Sequence, residues 1–357
     1  MSGTEAVTLA TQSQMARSGY RRLVYVRSLL LAALIAAIAV VIVVDLMTGP
    51  AGIPIADTVG ALFAREGTPR ATSFIIWQVR LPICIMALLV GSALALAGAE
   101  MQTILGNPLA EPFTLGVSSA AALGAALAIV LGIAIPGIPA AWVISGNAFV
   151  FALGALLLLQ LLARLGVAGP ETLILFGIAL GFTASAVLSL VQFIASADAL
   201  QRLVFWSMGS LAGAEWQTVG ILGLVVVLVV PFSLVAAGQL TALRLGEDRA
   251  RSFGVDVDRL RLLSLVRISL LAATAVAFVG IIGFVGLVGP HIARMLVGEN
   301  HRFFLPASLL TGALVMSLAS IASKVIVPGV LLPIGIVTAL VGLPVFFVLI
   351  ARRQKGR

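Results

Sequence analysis

The chain has 357 residues, of which 61% are hydrophobic and 10% are charged, and its mean hydropathy is +1.18. So much apolar surface cannot face water in a folded chain, so the composition excludes a soluble globular protein and indicates a polytopic membrane protein. The formal net charge is +8, and the single cysteine, Cys84, excludes an internal disulfide.

Ten apolar runs approach or reach the length of about 20 residues that a helix needs to cross a bilayer. We predict spans at 24–47, 80–104, 112–133, 141–163, 172–196, 217–240, 262–282, 284–297, 304–327 and 331–350. The first run follows several arginines, but it is longer than an export signal and lacks a small-residue cleavage site, so we predict that it is retained. One membrane domain, 24–350, would then lie between a polar tail, 1–23, and a basic tail, 351–357.

The apolar run 262–297 is too long for one ordinary helix and is interrupted by GFVGLVGP, 283–290. Counting it as two spans makes the total even. Both ends of the chain are basic, so the positive-inside rule places both in the cytoplasm, which requires an even number. Most lysines and arginines then fall on the cytoplasmic side, which supports this topology.

The stretch GNPLAEPFTLGVS, 106–118, places two prolines between two apolar runs. Pro108 and Pro112 cannot continue a helix, and irregular backbone at membrane depth is tolerated where it is buried in protein or lines a cavity. We predict a cytoplasmic hairpin in which Asn107 caps free backbone groups. Gln102, about one turn earlier, either faces a translocation pathway or bonds the carbonyls of the turn, and the second interpretation is favoured.

Residues 94–116 resemble residues 275–298 in pattern, because each segment has a span that ends in small residues, a proline-broken turn and a short following span. The two turns face opposite sides in the predicted topology. Spans 2–5 and 7–10 would therefore be inverted repeats, which are typical of transporters. The alternative is that any two spans rich in Gly and Ala look alike.

The predicted span centres hold almost no ionisable residues, which argues against an ion-coupled secondary transporter or a channel. A P-loop is also absent from the sequence, because neither Lys324 nor Lys355 is followed by Ser or Thr. Any ATPase must therefore be another polypeptide. We interpret His291 as a structural residue and His301 as part of a polar inner loop, and we predict no metal site and no membrane enzyme.

A long polar loop, 241–261, lies on the predicted cytoplasmic side. Residues 245–253 are expected to form a short helix that ends at Gly254. Glu247, Ala250 and Gly254 follow the spacing E-x-x-A-x-x-x-G, which resembles the coupling motif of the membrane subunits of ABC importers. The alternative is a solvated loop that only fixes the orientation of the chain.

Across residues 75–350 the chain resembles the iron-siderophore and cobalamin uptake permeases, also called FecCD-type permeases. The matching blocks are WQVRLP (77–82), LVGSALALAGAEMQ (89–102), NPLAEPFTLGVS (107–118), LILFGIALG (173–181), FWSMGSLAGAEW (205–216), LGEDRARSFGVD (245–256), GFVGLVGPHIARMLVGENHR (283–302) and LPIGIVTALVGLPVFF (332–347). The resemblance implies an all-α, ten-span subunit of the inner membrane that pairs with a second permease subunit. It also implies two cytoplasmic ATPase subunits, which bind the ATP and Mg, and an extracytoplasmic binding protein that delivers a metal chelate.

The resemblance assigns roles to individual residues. It implies a coupling helix that lies in a groove of the ATPase and consists of Leu245, Gly246, Glu247, Asp248, Arg249, Ala250, Arg251, Phe253 and Gly254. Glu247, Arg249 and Arg251 would make charged contacts there. Arg80 and Lys324 match basic positions that meet acidic residues of the binding protein, although an arginine near a membrane surface is also a common headgroup anchor. The pathway or gate candidates are Gln102, Asn107, Pro108, Pro170 and Glu171.

Four positions depart from the family pattern. Ile83 and Gly106 stand where the family often has Arg, Ser320 replaces a usual Asp, and Leu331 replaces a usual Glu. Two of these changes thin the charge on the outer face. We therefore expect this subunit to work beside a different permease subunit rather than a second copy of itself. The cargo could be a ferric siderophore, haem, cobalamin or another metal chelate.

Overall fold

The computed structural model of the chain describes residues 3–50, 52–63, 69–164, 170–327 and 329–355. Every regular element within these ranges is helical. The helices are α1 (Gly3–Met47), α2 (Ile55–Leu62), α3 (Arg70–Phe74), α4 (Leu81–Ile104), α5 (Val117–Val130), α6 (Ala140–Arg164), α7 (Pro170–Phe193), α8 (Ala197–Ser207), α9 (Trp216–Val235), α10 (Ala237–Leu243), α11 (Glu247–Ser252), α12 (Val257–Val279), α13 (Val285–Val297), α14 (His301–Val325) and α15 (Ile334–Lys355). A π-helical segment, Ile75–Arg80, joins α3 to α4, and a 3₁₀ turn, Pro112–Leu115, precedes α5.

Seven helical stretches of the described chain are long and apolar enough to cross a membrane. They are Gly19–Met47, Arg70–Ile104, Ala140–Leu162, Glu171–Phe193, Trp216–Val235, Val257–Val279 and His301–Val325. Three shorter apolar helices, Val117–Val130, Val285–Val297 and Ile334–Pro344, lie within the predicted third, eighth and tenth spans. Each predicted span thus contains an apolar helix, but Val117–Val130 and Val285–Val297 are shorter than a straight crossing requires, whereas Ile334–Pro344 is the first part of the longer α15.

Helix ends differ from the prediction where backbone conformation interrupts an apolar run. The predicted span 112–133 begins with a 3₁₀ turn, and Gly116, at φ +79°, delays the helix to Val117. The predicted span 217–240 is divided at Ala236, whose ψ of −7° separates α9 from α10. Hydropathy carries no signal for that division, because apolar residues lie on both sides of it.

Helix α4 lies at the centre of the fold, where most of its side chains are buried, and it packs against α12, α13 and α14. Glycines allow these helices to approach closely. A Cβ atom on Gly98 would lie 1.8 Å from the Gly286 carbonyl oxygen, and one on Gly91 would lie 2.3 Å from the Gly312 carbonyl oxygen. Small residues at such crossings are typical of packing in membranes, where close van der Waals contact replaces the hydrophobic effect. The two segments that resemble each other in sequence therefore contact each other.

An ion pair lies inside the helical core between α4 and α12. Both Arg267 Nε and Nη2 donate to the Glu100 carboxylate, at 3.0 and 2.6 Å, and Nη2 also donates to Ser264. Arg267 lies near the beginning of the predicted span 262–282 and Glu100 near the end of the span 80–104, so the pair does not contradict the expectation that span centres hold almost no charge. A paired, hydrogen-bonded charge is the form in which ionisable side chains are tolerated at membrane depth.

Candidate functional site

The predicted coupling helix is present as α11, and glycines define both of its ends. Gly246 precedes the helix at φ +111°, and Gly254 follows it at φ +81°. At the second end the Val255 N–H donates to the Ala250 carbonyl at 3.0 Å, and the Gly254 N–H donates to the Arg251 carbonyl at 2.9 Å. This pair of bonds is a Schellman motif, which requires a left-handed residue at the position of Gly254.

The two large apolar residues that flank α11, Leu245 and Phe253, are exposed. Leu245 is 53% exposed and Phe253 is 66% exposed, whereas Ala250 is fully buried. The E-x-x-A-x-x-x-G spacing therefore has a structural explanation: the alanine packs inward, the glycine ends the helix, and the flanking apolar side chains remain available to a partner.

Two of the three charged residues predicted to contact an ATPase pair with each other, and the contact with an ATPase stays a prediction. The Glu247 carboxylate accepts hydrogen bonds from Arg251 at 2.9 Å and from Arg261 at 2.6 Å. The hydrogen bond from Arg251, followed by that from Arg261, lowers the pKa of Glu247. Glu247 and Arg251 thus pair within the chain, while Asp248 and Arg249 are exposed. Charged contacts with an ATPase are more readily made by the latter two residues in this conformation.

The 106–116 hairpin begins at a second Schellman motif, at the end of α4. The Asn107 N–H donates to the Gln102 carbonyl at 3.1 Å, and Gly106 has a φ of +60°. The Asn107 side chain then accepts a hydrogen bond from the Leu109 N–H at 3.0 Å, which is the capping role predicted for it. Pro108 follows the cap, where a proline suits the end of a helix. The positive φ also gives a backbone reason for glycine, rather than arginine, at position 106.

Glu111 is a buried acid in the hairpin, and the sequence pattern predicted no separate role for it. It forms a capping box with Thr114. Its second carboxylate oxygen finds no hydrogen-bond partner among the described residues and lies 3.2 Å from where a Gly286 Cβ atom would be. Burial raises the pKa of Glu111 to about 7, and a hydrogen bond from the Phe284 backbone opposes that rise. The hairpin is thus packed against the break that precedes α13.

Gln102 joins the two helix breaks. Its amide nitrogen donates to the Gly286 carbonyl at 3.4 Å, and its amide oxygen accepts from Arg294 at 2.9 Å. The favoured interpretation, that Gln102 bonds its own turn, is wrong in one respect, because its carbonyl partner belongs to the other break. The residue is buried, so it faces no open pathway in this conformation.

His301 was predicted to lie in a polar inner loop, and this prediction is wrong. The residue is buried and begins α14. Its Nε2 atom lies 2.8 Å from the Thr103 hydroxyl, and its Nδ1 atom lies 3.3 Å from the Thr241 hydroxyl. The ring therefore joins α4, α10 and α14. His291 lies within α13, beside Pro290. Within the described ranges, no three His, Cys, Asp or Glu side chains form a group that could hold a metal ion.

The two predicted docking cations are buried at the end of α1. Lys324 Nζ lies 2.9 Å from an Asp45 carboxylate oxygen, and the Ser320 hydroxyl donates to the same oxygen at 3.0 Å. Arg80 donates to the Leu46 carbonyl at 2.8 Å. A docking residue must be exposed to its partner, so this burial counts against the docking role. The sequence could not show it, because Asp45 lies 279 residues before Lys324.

The two remaining gate candidates lie at the beginning of α7. Pro170 is its first residue, where the missing N–H costs no helical hydrogen bond. Glu171 is exposed in the first turn, where a carboxylate interacts favourably with the helix dipole. The preceding segment, 165–169, lies outside the described residues. The gate assignment stays a prediction.

Comparison with known proteins gives a consistent answer. The model of the FecCD transport family matches residues 33–352. The hemin transport system permease protein HmuU of Yersinia pestis is 35% identical over 79% of this chain and 85% of its own length. The vitamin B12 import system permease protein BtuC of Vibrio cholerae is 37% identical over 79% of this chain and 84% of its own.

A solved structure supports the same relationship. It is described as an inward-facing conformation of a metal-chelate type ABC transporter, shares 33% sequence identity, and superimposes with a TM-score of 0.80 over 90% of this chain and 99% of that chain. The family match includes residues 33–47 of the first predicted span, which the sequence blocks from residue 75 onward did not reach. The chain therefore belongs to the FecCD transport family.

Proposed function

We propose that the chain is the membrane permease subunit of an ATP-driven importer that moves a metal chelate, such as an iron-siderophore complex or a metal tetrapyrrole, across the cytoplasmic membrane. The relatives named for hemin and vitamin B12 support that class of cargo, because both compounds hold a metal within an organic ligand. The observation that carries the proposal is α11, whose exposed Leu245 and Phe253 flank a helix fixed at both ends by glycine.

The assembly would contain two ATP-binding subunits, a second permease subunit and an extracytoplasmic binding protein. This chain would bind no cofactor and catalyse no reaction, since ATP and Mg would belong to the ATPase. A heterodimer is proposed over a homodimer because two of the departures from the family pattern thin the charge on the outer face, which a different permease subunit would supply. Pro170 and Glu171 would lie at the cytoplasmic gate.

The proposed topology has ten spans, cytoplasmic termini and inverted repeats formed by spans 2–5 and 7–10. Seven long and three short apolar helices support the count. The contact between the two helix breaks, through Gly98, Gln102 and Gly286, supports the repeats, since related elements often meet at the pseudo-symmetry axis of a transporter.

Affinity purification of this chain in mild detergent tests the proposal directly. We expect mass spectrometry to identify an ATPase subunit and a second permease, and the complex to hydrolyse ATP. Vesicles that contain the complex and its binding protein should take up hemin, cyanocobalamin or ferric citrate only when ATP is present. Uptake of solute by the chain alone, without ATP, would overturn the importer assignment, and a complex with two copies of this chain would overturn the heterodimer.

A further inference from the structure

Arg261, in the first part of α12, connects the coupling helix to the end of α4. Its Nη2 atom lies 2.6 Å from Glu247 Oε2, and its Nε atom donates to the Ile104 carbonyl at 3.3 Å. The side chain is only 13% exposed. One guanidinium thus contacts both α11 and the last residue of α4.

The contact with Ile104 has a clear physical basis. The last carbonyls of a helix lack partners within the helix, and a cation near that end also interacts favourably with the helix dipole. Arginine suits this position better than lysine, because its planar guanidinium donates in two directions from a rigid fork. Neighbouring arginines do not make the same connection: Arg251 pairs with Glu247 and Asp258, and Arg259 is exposed.

A second connection runs from the other side of the coupling helix. Arg244, which immediately precedes Leu245, pairs with Glu299. Glu299 lies 3.6 Å from Arg294 Nε, and Arg294 donates to Gln102 at 2.9 Å. Gln102 in turn donates to the Gly286 carbonyl. This connection therefore ends at the break before α13, whereas that of Arg261 ends at the break after α4.

We propose that Arg261 is a positioning residue that converts movement of the coupling helix into movement of the Ile104 end of α4, a connection that we call the relay. The inference rests on the proposed function, because it needs an ATPase to move α11. A displacement of Glu247 must either carry the Ile104 end of α4 with it or break the Arg261 contacts. The partial burial of Arg261 favours the first outcome, since a sheltered ion pair is screened less than an exposed one.

A cysteine reporter on the hairpin tests the proposal without knowledge of the cargo. Cys84 is buried and is the only cysteine of the sequence, so a Cys84→Ala background with Leu109→Cys provides one reactive thiol. The purified complex with its ATPase is reconstituted in vesicles. The rate of labelling by a maleimide is then measured with and without ATP, beside the rate of ATP hydrolysis.

In the parent complex we expect ATP to change the labelling rate. Arg261→Gln should reduce that ATP-dependent change by about tenfold while ATP hydrolysis continues. Arg261→Lys should give an intermediate result, because it keeps a charge for Glu247 but not the fork. Arg259→Gln is the matched control, two residues away in the same helix and exposed, and should leave both measurements unchanged.

The outcomes separate the two proposals. If the parent chain captures no ATPase, both the proposal that it belongs to an ATP-driven importer and the proposal for the relay through Arg261 are overturned. An assembled, ATP-hydrolysing complex in which Arg261→Gln keeps the full labelling response, or in which the parent shows none, overturns the relay alone. If Arg261→Gln does not assemble, Glu247→Gln removes the same ion pair from the other side, and a full response in that variant equally overturns the relay.

Discussion

The ion pair between Lys324 and Asp45 allows the structural role of Lys324 to be distinguished from its predicted docking role by mutation. Because both side chains are buried, Lys324→Met should leave an unpaired carboxylate and destabilise the protein by about 3–5 kcal/mol. The double variant Asp45→Asn with Lys324→Met should recover much of that loss, because no charge is then left unpaired. Thermal unfolding of the parent protein, Lys324→Met and the double variant in detergent provides the measurement.

The opposite result would restore the docking role. If Lys324→Met unfolded like the parent protein but bound the extracytoplasmic binding protein more weakly, Lys324 would act at the interface. Tyr25→Phe, on an exposed residue of α1, is a suitable control for handling and reconstitution, since it alters neither charge nor packing in the core.

Glu247 gives α11 a defined pH dependence. Its pKa is lowered in the folded chain, so its contribution to stability is present above the ordinary pKa of 4.5 and is lost as the pH falls through the lower, folded value. The protection factors of the α11 amides, which correct for the intrinsic pH dependence of hydrogen exchange, report how often the helix opens. They should therefore be constant from neutral pH to about 5 and decrease below 4.5.

Glu247→Gln should remove that acid-induced opening, because the amide does not titrate. Asp248→Asn, the adjacent exposed residue, should leave it in place. A Glu247→Gln protein whose α11 still opens at the same pH would show that another carboxylate controls the helix.

Among residue-level features, those fixed by local backbone chemistry were predictable from the sequence. Gly254 ends α11 and Asn107 caps the hairpin because such roles depend on a few neighbouring residues. The burial of Arg80, the pairing of Lys324 and the second partner of Gln102 were not predictable. Each depends on a residue far away in the chain, and a side chain's type does not reveal which distant group it meets.

At the scale of elements, the crossing of α4 and α13 depends on the absence of two side chains. Gly98→Ala would place a methyl group against the Gly286 backbone, which cannot rotate away as a side chain could. The helices must separate, so we expect a loss of about 1–3 kcal/mol or more in the free energy of unfolding. The melting temperature of the purified protein provides the measurement.

Gly154→Ala is the matched control for that substitution. Gly154 also lies within a long helix, α6, but a Cβ atom there would meet no other atom within 4 Å. Alanine should be neutral or slightly stabilising at this site, since glycine is a poor helix former. Equal melting temperatures for the two variants would show that α4 and α13 tolerate a wider separation than their contact suggests.

Most elements were predictable from the sequence because apolar length is the principal signal for a helix in a membrane. Their interruptions were less so. The division at Ala236 has no signal in hydropathy, and Phe284 adopts a φ of +69° that a bulky residue rarely takes. Tertiary packing, rather than local preference, sets these conformations.

At the scale of the whole molecule, a substitution at Gly254 tests whether the coupling helix is needed for transport. Alanine at this position meets no steric obstacle, so its expected cost of about 1–2 kcal/mol comes from the left-handed backbone alone. The Gly254→Ala chain should insert and assemble normally but import less cargo per ATP hydrolysed. Uptake and ATP hydrolysis in reconstituted vesicles measure this ratio.

Gly238→Ala is the control, because Gly238 lies in α10 with open space around it and no positive φ. Gly238→Ala should leave the amount of cargo imported per ATP hydrolysed unchanged. A Gly254→Ala complex that transports as efficiently as the parent would show that the exact end of α11 is unimportant for coupling.

The ion pair between α1 and α14 also constrains how the chain is made. Asp45 is synthesised 279 residues before Lys324, which at 5–20 residues per second corresponds to roughly 15–55 s without its partner. During that interval the carboxylate must stay hydrated near the membrane surface or take up a proton, because an isolated charge is costly in hydrocarbon. The first helix can reach its final position only when the ninth predicted span has been inserted. The seating of the first helix is therefore a late step in the biogenesis of this protein, although that helix is the first to be synthesised.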